Sequence, residues 1–311
     1  MSSRALLKKE WRHRTLSIGA NPLLKKTKHL RDAPENHGQT IRQVVYVNYT
    51  VRSTLRTIKN DHPFRRDKVL IREGGDLLSQ NADPTQNANQ CYVSLGKSYD
   101  FYFNFFQRNS INDAGFNLDG FVHAEDLYNA YWDGEELVFG DGDDIVFRGF
   151  TDELDVIGHE FSHGVVEYTS SLPYTYQSGA LHESFADAFG LMIKQWGEGS
   201  PQTVYQANWL IGEGIWKRLD LKEDSGGVHI NSGIPNRVFF LAATNIGGYA
   251  WEGAGPIWYR ALSSGKLPTD GKATFKQFAD LTIESAGEHV DKVREAWTAV
   301  GYPFPEKRHE L

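Results

Sequence analysis

The amino-acid sequence predicts an α+β protein in two lobes, strand-rich first and helical second, with one chemically marked helix where they meet. Three observations carry that expectation. Residues 43–51, with Val44, Val45, Tyr46, Val47 and Tyr49, crowd β-branched and aromatic side chains into one short run, as strands do. From about Asp152 onward, apolar residues recur at helical spacing. At the join stand His159, Glu160 and His163. Strands followed by helices is the α+β layout, and it places the marked helix at the floor of a cleft between the lobes.

The elements follow in order. Residues 1–40 form a basic arm: the first thirty residues hold eight Lys or Arg against the single acid Glu10, which suits a solvated arm or a docking segment. Residues 41–168 make the strand-rich lobe including the marked helix, with further strands at 68–72 and 120–124. The Asn-, Asp- and Gln-rich stretch 79–90 reads as loop. Asp141, Asp143 and Asp144 read as a hairpin turn, because they lack the twelve-residue ligand pattern of a calcium loop. Residues 169–305 make the helical lobe and 306–311 a tail. Helices are expected at 152–168, 180–196, 233–246, 254–263, 273–286 and 291–299.

Composition narrows the function. A chain of 311 residues, 40% hydrophobic and 13% aromatic, can bury a large core. A net charge of −7, without basic and aromatic side chains interleaved, argues against nucleic acid as a partner. The single cysteine, Cys91, excludes an intrachain disulfide and reads as a packing residue. No stretch approaches the apolar length of a membrane span. Near the N-terminus, Ala5, Leu6 and Leu7 run straight into Lys8, Lys9 and Glu10, leaving no apolar core for a secretory signal. A cytoplasmic location is therefore expected, with export by a non-standard route as the alternative.

The chemistry starts with His159-Glu160-Phe161-Ser162-His163. Residues i and i+4 of a helix lie about 40° apart around the axis, so both imidazoles project from one face and can grip one ion. Zinc suits neutral imidazoles and, in catalytic sites, keeps a position for water beside three protein ligands. Glu160 is placed to take a proton from that water. The segment Ser178-Gly179-Ala180-Leu181-His182-Glu183-Ser184-Phe185-Ala186-Asp187 opens on a turn and continues as a helix that is apolar nearly all round. It offers Glu183 as a third ligand and, one turn later, Asp187, which can orient a ligating histidine through its far ring nitrogen. A third segment, Asp224 to Gly233, carries His229 between glycines.

Together these segments resemble the thermolysin-like neutral metalloproteases, and especially the protealysin branch. The similarity runs from about residue 44 to residue 302. It includes Asn129-Ala130-Tyr131-Trp132-Asp133-Gly134, Ser98-Tyr99-Asp100-Phe101-Tyr102 and Ile234-Pro235-Asn236-Arg237. The resemblance implies a two-lobe thermolysin-like fold and a zinc endopeptidase. His159, His163 and Glu183 would bind zinc, and Glu160 would act as general base. His229 and Tyr174 would donate to the developing oxyanion, with Tyr176 as an alternative to the latter. Asp224 would orient His229, and Asp187 would orient His159. Asn129 and the backbone of Ala130 would hold the substrate as an added strand. Phe147, Phe150, Val156 and Ile211 match positions around the residue after the scissile bond, and their apolar character implies cleavage before bulky hydrophobic residues. The basic arm resembles only the tail of the family's propeptide.

Three departures stand against the family pattern. The stretch from Trp209 to Asp224 is shortened and lacks the arginine that contacts the substrate carbonyl, with Lys217 or Arg218 as stand-ins. His182 replaces an asparagine, either facing substrate or lying inert behind the site. Calcium sites are only partly represented: Asp155 and Glu213 remain, but Lys194, Asn208 and Leu210 stand where carboxylates are usual, so a full double site is not expected. Two other functions stay open at this stage, a zinc-binding regulatory module without turnover and a zinc enzyme specialised for a small peptide.

Overall fold

The computed structural model describes residues 54–60, 68–79, 85–124, 127, 129–142, 149–213 and 228–303. Five strands make one mixed sheet: β1 (Arg56–Asn60), β2 (Lys68–Arg72), β3 (Leu118–Ala124), β4 (Ala130–Trp132) and β5 (Leu137–Gly140), in the order β2-β1-β3-β5-β4. The central neighbours β1–β3 and β3–β5 run parallel, and β2 and β4 close the two edges antiparallel. Every residue of β3 but Asp119 is buried, as expected where a central strand is covered on both faces.

The helices are α1 (Thr85–Phe106), α2 (Leu154–Ser170), α3 (Tyr176–Gly197), α4 (Val228–Asn231), α5 (Gly233–Ile246), α6 (Ala254–Leu262), α7 (Phe275–Glu284) and α8 (Val290–Thr298). The α+β expectation holds, with a sheet in the first half and helices in the second. Local chemistry sets the ends. Ser171 adopts a left-handed conformation (φ 48°) and gives its N–H to Val166 and Glu167, stopping α2. Thr274 and Gln277 form a reciprocal capping box that starts α7.

The expected loop at 79–90 is corrected: residues 85–90 already belong to α1. Their amide side chains tether the helix instead of breaking it. Asn89 exchanges hydrogen bonds with the N–H and C=O of Leu78, and Asn87 donates to Asp141 at 2.6 Å. The turn expected at Ser178 is also helix, since α3 begins two residues earlier. The strand expected at 43–51 lies outside the described residues.

α2 and α3 pack antiparallel, and glycine lets them approach. A Cβ on Gly190 would stand 2.5 Å from the carbonyl oxygen of Asp155 and 3.0 Å from the nitrogen of His159. Behind them, Tyr102 of α1 stacks between Phe161 and Phe189, at centroid distances of 5.5 and 5.6 Å. Its hydroxyl donates to Ser162, which donates in turn to the carbonyl of Gly158. Buried ring pairs of this kind add about 0.5–1.5 kcal/mol each beyond their burial, so the back of α2 is firmly held.

Candidate metal centre and active site

α2 presents His159 and His163 from consecutive turns, their rings perpendicular with centroids 4.5 Å apart. α3 brings Glu183 to meet them, almost wholly buried. Its Oε2 lies 3.4 Å from His159 Nε2 and its Oε1 3.6 Å from His163 Nε2. One ligand atom from each of the three side chains falls within 4.8 Å of the others. Two atoms bound about 2.0–2.1 Å from a tetrahedral zinc stand roughly 3.3–3.4 Å apart, so this donor set fits zinc in both chemistry and spacing.

The neighbours shape the charge. Burial opposes ionisation of Glu183, but the imidazoles around it hold its carboxyl well below the usual range. Burial also pushes the Glu160 carboxyl up to about 7, against His159 and a hydrogen bond from the Trp132 N–H. That N–H donates to Glu160 Oε2 at 3.0 Å. His163 is held neutral mainly by burial. His159 resists burial, because Asp187 and Glu183 stabilise its proton, and a bound cation would displace that proton. Asp187 Oδ1 lies 2.9 Å from His159 Nδ1, and Asn236 donates to Asp187 Oδ2 at 2.7 Å, extending the chain by one link. At the rim, the Tyr174 hydroxyl donates to Glu183 Oε1 and lies 3.3 Å from His229 Nε2. His229 Nε2 is 3.3 Å from the same carboxylate oxygen.

Residues 26–167 match the thermolysin metallopeptidase catalytic domain, and residues 170–221 and 217–302 match its alpha-helical domain. The chain belongs to the thermolysin metallopeptidase family. This thermolysin-family chain is 40% identical over 270 residues to an "Extracellular metalloprotease" of Pectobacterium carotovorum, covering 73% of this chain and 77% of the relative. It is 32% identical over 323 residues to a "Zinc metalloproteinase" of Listeria monocytogenes, covering 92% of this chain and 58% of the relative. Its structure matches the precursor of protealysin, a metalloproteinase from Serratia proteamaculans, with a TM-score of 0.72 at 37% identity, over 80% of this chain and 87% of the other. The name of the first relative overturns the cytoplasmic expectation. That expectation rested on a missing apolar h-region, which marks one export route and is silent on others.

Tyr174 points into the site, whereas Tyr176 is 71% exposed. His182 does not face the cleft: it is buried, donates from Nε2 to the carbonyl of His163 at 3.2 Å, and packs edge-on against the rings of His163 and Tyr174. Asn129 is exposed beside β4, and Ala130 begins that edge strand. Ile211 lines a cavity of about 370 Å³ with Asp187, Trp209, Asn236, Arg237 and Phe240. Phe150 and Val156 are buried. Phe147, Asp143, Asp144, Lys217, Arg218 and Asp224 lie outside the described residues. Sequence reasoning missed the link from Asn236 to Asp187, which joins helices 49 residues apart and has no spacing signature. Among the described residues, no helix is long and apolar enough to cross a membrane.

Proposed function

We propose that this thermolysin-family chain is a zinc endopeptidase that cleaves before bulky apolar residues and works outside the cell. The observation that carries the reading is the meeting of His159, His163 and Glu183 at ligand spacing beside the buried carboxyl of Glu160. His159, His163 and Glu183 hold the metal, and Asp187, steadied by Asn236, fixes the His159 ring. Zinc, when bound, lowers the pKa of an attacking water and polarises the scissile carbonyl.

The protein's own groups do the rest. Glu160 keeps Oε2 on the Trp132 N–H, which leaves Oε1 to take the proton from the attacking water and return it to the leaving amine. Tyr174 and His229 stand on one side of Glu183 and donate to the carbonyl oxygen as it gains charge. The substrate adds to the outer edge of β4. Backbone direction alternates along a strand, so the Ala130 N–H and C=O point the same outward way as the Trp132 N–H that reaches Glu160. Support for the apolar preference comes from Ile211, Trp209 and Phe240 in the cavity beside Asp187.

The ligand set is tested by metal content. Wild type should carry one zinc per chain, while His163→Ala and Glu183→Ala should lose it. Full zinc in either variant would refute the assignment. A peptide library should show cleavage before Leu, Ile or Phe, and a preference for charged residues there would refute the specificity.

A further inference from the structure

A second side-chain cluster on α2 and α3 takes no part in the reaction. Asp155, in the first turn of α2, is 0% exposed. A buried carboxylate needs donors or a cation. Its Oδ2 accepts from the N–H of Gly212 at 3.0 Å and from Lys194 Nζ at 3.2 Å, while its buried Oδ1 has no hydrogen-bond partner among the described residues. Lys194 comes from the last turn of α3 and also donates to Glu153. One ammonium therefore links the start of α2, the end of α3 and, through Asp155, the segment around Gly212.

Calcium, which the family resemblance implies in this region, does not fit these side chains. It takes six to eight oxygens at about 2.3–2.6 Å, several of them charged. Here the space between Glu153 and Asp155 is taken by the Lys194 ammonium. Glu213 is turned to the side-chain amide of Asn208, and Leu210 is 58% exposed and offers no side-chain oxygen. Among the described residues, the group of three or more His, Cys, Asp or Glu side chains close enough to share an ion is His159, His163 and Glu183, which does not include Asp155.

We propose that the Lys194 ammonium takes the place of a structural metal ion, a tethered cation that fastens the two ligand-bearing helices without calcium. The clamp lies close to the metal centre. Asp155 precedes His159 by one turn, and its carbonyl borders Gly190 at the tightest approach of the two helices. An internal cation is always present at full occupancy, so the helix pair keeps its geometry at any calcium concentration.

Thermal unfolding of the zinc-loaded full chain, in calcium-free buffer and in millimolar calcium, tests this. Lys194→Met should unfold roughly 5–10 °C lower in both buffers, as expected when one partner of a buried pair is removed. Lys194→Arg should recover most of the loss. Failure of Lys194→Met to fold counts as support only where Lys194→Arg folds; failure of both overturns the proposal. A Lys194→Met midpoint equal to wild type would overturn it. So would a calcium-induced rise in the wild-type midpoint that Asp155→Asn abolishes, because calcium would then occupy the carboxylates assigned to Lys194. A wild type whose midpoint shows no such Asp155-dependent rise supports it.

Discussion

The backbone N–H of Trp132 donates to the carboxylate of Glu160 at 3.0 Å, tying the edge strand β4 to α2. The indole of the same residue donates to Glu167 at 2.7 Å, two turns further along α2. Trp132 is thus held at both ends by one helix, and the strand that would receive substrate keeps a fixed position relative to Glu160. The two bonds can be separated. Trp132→Phe removes the indole donor and keeps the backbone N–H, so it should cost about 1–3 kcal/mol of stability while kcat stays within a few-fold of wild type. Denaturant unfolding and peptide kinetics on the same preparation check both parts.

Tyr174 and Tyr176 are two residues apart and face opposite surroundings. Tyr174→Phe should lower kcat by about 10²–10³, the effect of losing one oxyanion donor, with zinc content unchanged. Tyr176→Phe should leave kcat and KM as they are. Equal effects from the two variants would contradict the placement.

The chain from His159 through Asp187 to Asn236 should set metal affinity. Asp187→Ala should weaken zinc about 10- to 100-fold in competition with a chelator, and Asn236→Ala should weaken it less, in the same direction.

Helix contact at Gly190 should be intolerant. Gly190→Ala places a Cβ 2.5 Å from a backbone oxygen, which packed helices relieve only by moving apart, at about 1–3 kcal/mol. Gly233→Ala meets nothing within 4 Å and should unfold at or slightly above the wild-type temperature.

Much of this site is legible in the sequence because helical geometry is periodic. The spacing of His159 and His163 places both rings on one face, and the spacing of Glu183 and Asp187 does the same for the partner helix. What spacing cannot supply is contact between elements. The 100° step places His182 off the direction of Glu183, but only packing shows that the ring lies against His163 and Tyr174. The apolar character of Phe150 and Val156 fits a core as well as a pocket wall, and both are buried. At residues 85–90 a polar composition that suits loops is overridden by the tertiary bonds of Asn87 and Asn89. Lys194 reads in the sequence as a lost carboxylate, whereas in the fold it meets Glu153 and Asp155.

Cleavage of internally quenched peptides by the zinc-loaded chain, with Glu160→Ala assayed beside it, tests the central claim most directly. The account expects cleavage ahead of Leu, Ile or Phe in the wild type. It also expects a loss of at least about 10²-fold in the variant, with zinc still bound one per chain. A wild type that binds zinc and cleaves no peptide, or a Glu160→Ala variant that cleaves as well as the wild type, would contradict it.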